Sequence, residues 1–158
     1  MRAATITVFD SRAEFNAAVI QVLEASRHAI TLLDRSFEGW PLESAAGQEA
    51  LRGALRRGAS LRLLVGSPDW IQRNGHRLMR TRRDFSDRIA CRELPPALRI
   101  DEGIVIGDAQ HMARRVHWDG YRGRLVLASP SEIEPLLGRY EQAWDESTPC
   151  LPATTLGL

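Results

Sequence analysis

Two short aliphatic runs, Ala29-Ile30-Thr31-Leu32-Leu33 and Leu61-Arg62-Leu63-Leu64-Val65, each follow a helix-forming stretch, and that alternation leaves few folds open. Before the first run, Ser11-Arg12-Ala13-Glu14 has the pattern in which a serine hydroxyl and a glutamate carboxylate satisfy the free N–H groups of a helix start. Phe15, Val19, Val22 and Leu23 then recur at helical spacing, which predicts an amphipathic helix over residues 11–26. Before the second run, a helix over about residues 44–57 stops at Gly58, after two arginines suited to the negative end of its dipole. Strands separated by helices in this way lie parallel in one sheet with right-handed crossovers. The expected fold class is therefore α/β, a mixed β-sheet flanked by helices.

The rest of the chain extends this reading. Gly66-Ser67-Pro68 turns into a helix reaching about Ser86, with Gly75 a point of interruption. Ile89-Ala90-Cys91 reads as a short strand, and Pro95-Pro96 breaks the chain. Residues 103–106, 112–118 and 124–128 read as β structure, with a turn at Asp119-Gly120. Ser131-Glu132-Ile133-Glu134 repeats the helix-start pattern and opens a helix with Ile133, Leu136, Leu137, Tyr140 and Trp144 on one face. The expected organisation is a single domain over residues 1–148 and an irregular tail over 149–158.

Composition excludes chemistry. All 21 basic side chains are arginine and none is lysine. Schiff-base catalysis needs an amine that can lose its proton, and a phosphate loop of the Walker type ends in lysine, so neither is open to this chain. A G+C-rich genome also writes arginine for lysine, so the bias is not itself a function. A formal net charge of +1 gives no global field toward nucleic acid or membrane. Cys91 and Cys150 are far apart, without a CxxC pair, and read as neither a zinc knuckle nor a disulfide framework. The run from Met1 to Phe9 is too short for a secretory leader and no stretch is long enough to span a membrane, so the expectation is a reduced, cytoplasmic setting, with no cofactor and no membrane partner.

The order of Ile30-Thr31-Leu32-Leu33-Asp34, then Leu51–Leu55 leading to Arg57-Gly58-Ala59 and Leu61–Val65, with a closing Tyr140-Glu141-Gln142-Ala143-Trp144, resembles one half of a phospholipase D-like domain over residues 11–147. The resemblance implies an H-x-K-x-x-x-x-D motif, whose histidine attacks phosphorus and whose lysine steadies phosphate oxygens. The best register here is Asp101-Glu102-Gly103-Ile104-Val105-Ile106-Gly107-Asp108, with Asp101 at the histidine position, Gly103 at the lysine position and only Asp108 in agreement. A register from His117 puts Asp119 and Arg124 at the lysine and aspartate positions and is no better. With no lysine, no register completes the motif. The resemblance thus implies a degenerate, non-catalytic relative, and, since single halves of this family commonly pair across a cleft, a homodimer.

Local clusters supply the candidate sites. Residues 73–92 carry seven arginines against Asp84 and Asp87, a local charge of +5, while residues 129–148 are locally −4. Arginine forks suit phosphate oxygens, which makes Arg80, Arg82 and Arg83 candidates for a phosphate-bearing ligand or nucleic acid; the ordinary alternative is a solvated helix face. On one continuous helix Ile71, Leu78 and Phe85 share a face, and Arg82 falls on that apolar side, so it should be ion-paired or line a cleft. Ligands of open α/β sheets bind beyond the carboxyl ends of the strands, which makes Asp34, Arg35 and Trp40, with Ser67 and Asp69, the loop candidates. His111 and His117 share strand parity and, with Asp108 and Asp119, form the alternative acid–base or metal cluster. Ser129, before Pro130, reads as turn chemistry. The leading expectation is a binding or scaffold domain without catalysis. The competing one is a hydrolase using Asp101, Asp108, His111 and His117, with or without a metal, and a third is a plain interaction partner within a bacterial complex.

Overall fold

The computed structural model describes residues 3–153. Its elements are β1 (Thr5–Phe9), α1 (Arg12–Ala25), β2 (Ala29–Asp34), α2 (Ala45–Arg56), β3 (Ser60–Val65), α3 (Asp69–Asn74), α4 (His76–Asp84), β4 (Ile89–Glu93), β5 (Gly103–Gly107), β6 (His111–Arg115), β7 (Gly123–Leu127), α5 (Pro130–Glu146) and β8 (Thr148–Pro149). One mixed sheet runs β1-β7-β6-β5-β2-β3-β4-β8, with β2, β3 and β4 parallel and every other pairing antiparallel. This is the expected α/β fold, a mixed sheet flanked by helices.

Alternation along the strands divides the core in two. Ile30, Leu32, Leu61, Leu63, Val105 and Ala113 face α1 and α2, where Phe15, Val19, Val22, Leu51 and Leu55 close the larger core. Leu33, Leu64, Ile104, Ile106, Met112 and Val126 face the other way, against Ile133 and Tyr140 of α5. Ser11 caps α1 as its sequence predicts, its hydroxyl accepting from the Glu14 N–H at 3.1 Å. α5 begins two residues earlier than expected: Ser129 rather than Ser131 is the cap residue, Pro130 stands in the first turn, and Ser129 makes no side-chain cap bond. Arg57 donates to the carbonyls of Leu23, Glu24 and Ser26, tying the end of α2 to the end of α1.

Two features depart from the sequence reading, and a third, the interruption at Gly75, bears it out. Thr5–Phe9 is a strand paired with β7 at one edge of the sheet, a role not read from its alternating Thr-Ile-Thr-Val-Phe. The helix after Pro68 is two helices, because Gly75 sits at φ −92° and ψ 46° between them. The start of the supposedly irregular tail is structured: Thr148–Pro149 pairs with β4 and Leu151 is buried, while residues 154–158 of that tail lie outside the described residues.

Candidate functional site

The topology gathers one functional edge. The parallel strands β2, β3 and β4 end together at Asp34, Val65 and Glu93. Because β5 runs antiparallel to β2, its starting end lies at the same edge, and because β6 pairs Arg115 with Gly103, the end of β6 does too. Asp34, Arg35, Gly66, Ser67, Asp101, Gly103, Arg115, His117 and Trp118 are brought there from four separate stretches of chain. A cleft of about 210 Å³ lined by Arg35, Gly66, Ser67, Pro95, Arg99 and Asp101 opens at this edge. A second of about 430 Å³ adjoins it through Arg99 and Asp101 and extends to Arg114, Arg139 and Tyr140.

At the centre of the edge sits a buried ion pair. Asp34 and Arg115 keep 1% and 4% of their side-chain surface exposed, and Arg115 Nη2 stands 3.6 Å from Asp34 Oδ1. Asp34 Oδ2 accepts from the N–H groups of Ser36 and Phe37 at 3.1 and 2.7 Å, which fixes the turn out of β2. Burial pushes the Asp34 carboxyl above the usual carboxylate range, against the opposing pull of those two donors and of Arg115. The Arg115 guanidinium packs against the adjoining rings of Phe15 and Tyr121, 5.5 and 4.9 Å from their centroids. Gly103 makes room for the pair: a Cβ there would stand 2.5 Å from Asp34 Oδ1 and 3.2 Å from Arg115 Nε.

The motif positions therefore have definite surroundings. Asp101, at the histidine position, is exposed at the rim shared by both clefts. Gly103, at the lysine position, is buried under the ion pair. Asp108 lies at the far end of β5, where its carboxylate accepts from the N–H groups of Arg27, His28 and Ala29 at 2.8, 2.8 and 3.0 Å. Partial burial raises its carboxyl, but the three donors outweigh that and hold it below the usual range.

The remaining candidates separate. Arg35 is exposed, its guanidinium 4.3 Å from the ring centre of Trp118. Trp40 is not at the surface: it keeps 5% exposure and packs on Phe15 and Phe37, so the loop turns it into the core. Arg80 and Arg83 are exposed on α4 and, with Arg73 of α3, make no hydrogen bond or ion pair among the described residues. Arg82 is half-buried and lines a cleft, as expected, but its partners are the carbonyls of Leu151 and Ser86 rather than an acid. His111 and His117 are not brought together. His111 opens β6 opposite Gly107, buried, its Nδ1 accepting from the Ala128 N–H at 3.0 Å, whereas His117 lies beyond the other end of that strand, exposed, 2.5 Å from Asp119 Oδ1. The parity rule holds only while the strand continues, and β6 ends at Arg115. No group of three His, Cys, Asp or Glu side chains suited to a metal occurs among the described residues.

Sequence reasoning missed Arg115 and Arg99. Arg115 shares strand parity with the inward-facing Ala113, a signal that needs the register to be known. Arg99 follows the Pro95-Pro96 break in a stretch with no periodicity, and only the cleft reveals it.

A mixed sheet with α1 and α2 on one face and α5 on the other is an α/β fold of the kind seen in phospholipase D-like structures. The chain belongs to the family described as a domain of unknown function, DUF7931, whose model matches residues 11–156. No curated protein matches it. Among solved structures it is similar to Nuc from Salmonella typhimurium, a phospholipase D family member, with a TM-score of 0.69 at 13% identity over 94% of this chain and 99% of that one. It is similar to NucT from Helicobacter pylori, with a TM-score of 0.67 at 11% identity over 94% and 100%. It is also similar to TrmBL2, an archaeal chromatin protein with a novel mode of DNA binding, at a TM-score of 0.69 and 13% identity; the match covers 92% of this chain and 54% of that one, so this chain spans about half of TrmBL2. No helix among the described residues is long and apolar enough to cross a membrane.

Proposed function

We propose that this chain is a non-catalytic phospholipase D-like domain that binds a phosphate-bearing ligand, in the form of nucleic acid. The observation that carries the reading is the state of the motif strand. A carboxylate stands where the attacking imidazole belongs, the lysine position has no side chain, and the space beside it is filled by Asp34 and Arg115. A negative group at the nucleophile position repels a phosphodiester, and Arg115, buried against two rings, is not free to follow a phosphate oxygen. What the molecule offers phosphate instead is unpaired guanidinium on the α3–α4 surface, at Arg73, Arg80 and Arg83, and at the edge, at Arg35 and Arg99. The DNA-binding mode of TrmBL2, on a similar fold, supports the same choice of ligand.

The test is a salt series with single- and double-stranded DNA, alongside phosphodiesterase assays with and without divalent metals. Affinity should fall as salt rises, and Arg80→Glu with Arg83→Glu should weaken it at least about tenfold and flatten the slope of log K against log salt by about 1–2. Binding indifferent to salt or to that double variant removes the basic surface from the reading. Turnover that His117→Ala abolishes overturns the non-catalytic assignment in favour of a hydrolase.

We also infer a homodimer, a single domain per chain and a cytoplasmic setting. Leu98, Val116 and Trp118 stand 37%, 55% and 44% exposed around the functional edge, the place where a second half would face this one. A monomeric mass at micromolar concentration excludes the pairing.

A further inference from the structure

Cys91 and Cys150, remote in the sequence, meet in the fold. β8 runs antiparallel to β4 with Glu93 opposite Thr148 and Arg92 opposite Pro149. The next step of the same register puts Cys150 opposite Cys91, and the Cys150 N–H donates to the Cys91 carbonyl at 3.0 Å. Opposed residues of an antiparallel pair have Cα atoms roughly 4.5–5.5 Å apart, within the span of about 4.4–6.8 Å that a disulfide bridges. Their side chains also share a face: Cys91 belongs to the larger core and Cys150 packs against it. Both are free thiols, Cys91 buried and Cys150 half-buried.

We propose that Cys91 and Cys150 form an oxidisable dithiol site, closed to an intramolecular disulfide by low-molecular-weight disulfides, which fastens residues 148–151 to β4. A cleft of about 490 Å³ lined by both cysteines, Arg82, Arg92 and Trp144 opens over the pair. It admits a small disulfide, and its two guanidiniums suit the carboxylates of a peptide-like one. Cys150, the more accessible thiol, loses its proton, and its sulfur attacks one sulfur of the small disulfide. A mixed disulfide forms and one small thiolate leaves. Cys91, deprotonated in turn, attacks the Cys150 sulfur and expels the second small thiolate. The two cysteine protons end on the two released thiols, and the two electrons given up by the cysteines have reduced the small disulfide.

The segment to be fastened is already in place. Arg82 Nε donates to the Leu151 carbonyl at 3.2 Å, Arg92 Nε donates to Ser147 Oγ at 2.8 Å, and Leu151 is 3% exposed. Closing the bond therefore asks little movement and links two distant parts of the chain, the arrangement for which a cross-link most restricts the unfolded ensemble. Burial pushes the Cys91 thiol up to about 11, with Arg82 opposing, and the Cys150 thiol up to about 12, with Cys91 and Glu93 adding to burial. Few thiolates exist near neutrality, so closure is slow and quickens with rising pH.

The experiment equilibrates the whole protein with oxidised glutathione at mildly alkaline pH, quenches it with an alkylating reagent and weighs it intact. The expected product is a chain with no covalent link to another, which takes up no label, is lighter than the dithiol by about 2 Da, and melts roughly 10 °C above the reduced protein. Cys91→Ser should stop at a mixed disulfide on Cys150. Wild-type protein whose two thiols remain alkylatable at equilibrium, or which accumulates as a mixed disulfide or an intermolecular dimer, overturns the proposal. The wild-type sample decides, so a serine variant that fails to fold leaves the test intact.

Discussion

A guanidinium does not shed its proton at ordinary pH, so Arg115, 3% exposed, carries its charge into the core and depends on Asp34 to meet it. Removing one partner strands the other: Arg115→Met should destabilise by about 3–5 kcal/mol in urea unfolding, and adding Asp34→Asn should recover a large part. Two carboxylates at opposite ends of the sheet, buried Asp34 and half-buried Asp108, tilt stability with pH in opposite senses. Asp34, raised when folded, binds protons more tightly in the native state, so its contribution declines as pH climbs from the ordinary carboxylate range through the raised value. Asp108, depressed when folded, contributes fully above the ordinary range and loses its contribution as pH falls through the depressed value. Asp108→Asn, which keeps a residue tolerant of φ +54°, should flatten the acid limb of a stability-against-pH curve and cost about 1–2 kcal/mol near neutrality by urea titration. Asp108 was legible as a motif residue, but its work was not, because the N–H groups it holds belong to Arg27, His28 and Ala29. Arg57 shows that part of the arginine bias is structural, since one of its nitrogens serves three carbonyls at a helix end.

At the level of elements, the strongly periodic stretches were the readable ones. α1, β2, α2 and β3 stand within a residue or two of their predicted bounds because each has both a hydrophobic period and a start or stop signal. Gly75 is different: a Cβ there would stand 2.8 Å from the Ile71 carbonyl oxygen, so the break is built into the packing. The apolar face placed on one continuous helix survives the break, with Ile71 and Leu78 buried and Phe85 packed against the core. A second signal was invisible locally. Glu43, from the loop before α2, accepts from the Arg77 and Leu78 N–H groups at 2.9 and 2.8 Å and so caps α4 from outside. Glu43→Ala should lower stability by about 1–2 kcal/mol in thermal or urea unfolding and loosen the surface that presents Arg80 and Arg83. β1 was missed although its β-branched alternation is a strand signal, because Ile6 and Val8 point outward at an edge, 50% and 69% exposed, and give no inward stripe to read.

For the molecule as a whole, the sheet order was beyond the sequence. Periodicity gives strands but not neighbours, and the functional edge exists only because β5 returns antiparallel beside β2 and brings β6 with it. The same order explains why the candidate list divided as it did: Arg35, Asp101 and His117 share an end of the sheet, and Asp108 and His111 share the other. The crowding at Gly103 limits what can be built there. Writing in the pair that the resemblance implies, Asp101→His with Gly103→Lys, puts a long cation into space held by Asp34 and Arg115, so the double variant should express as a destabilised protein with no phosphodiesterase turnover. Recovery of turnover by those two changes alone, read in a hydrolysis assay, contradicts this. The occupied space beside Gly103 thus works as a lock: a long side chain can enter there only when Asp34 and Arg115 change along with it.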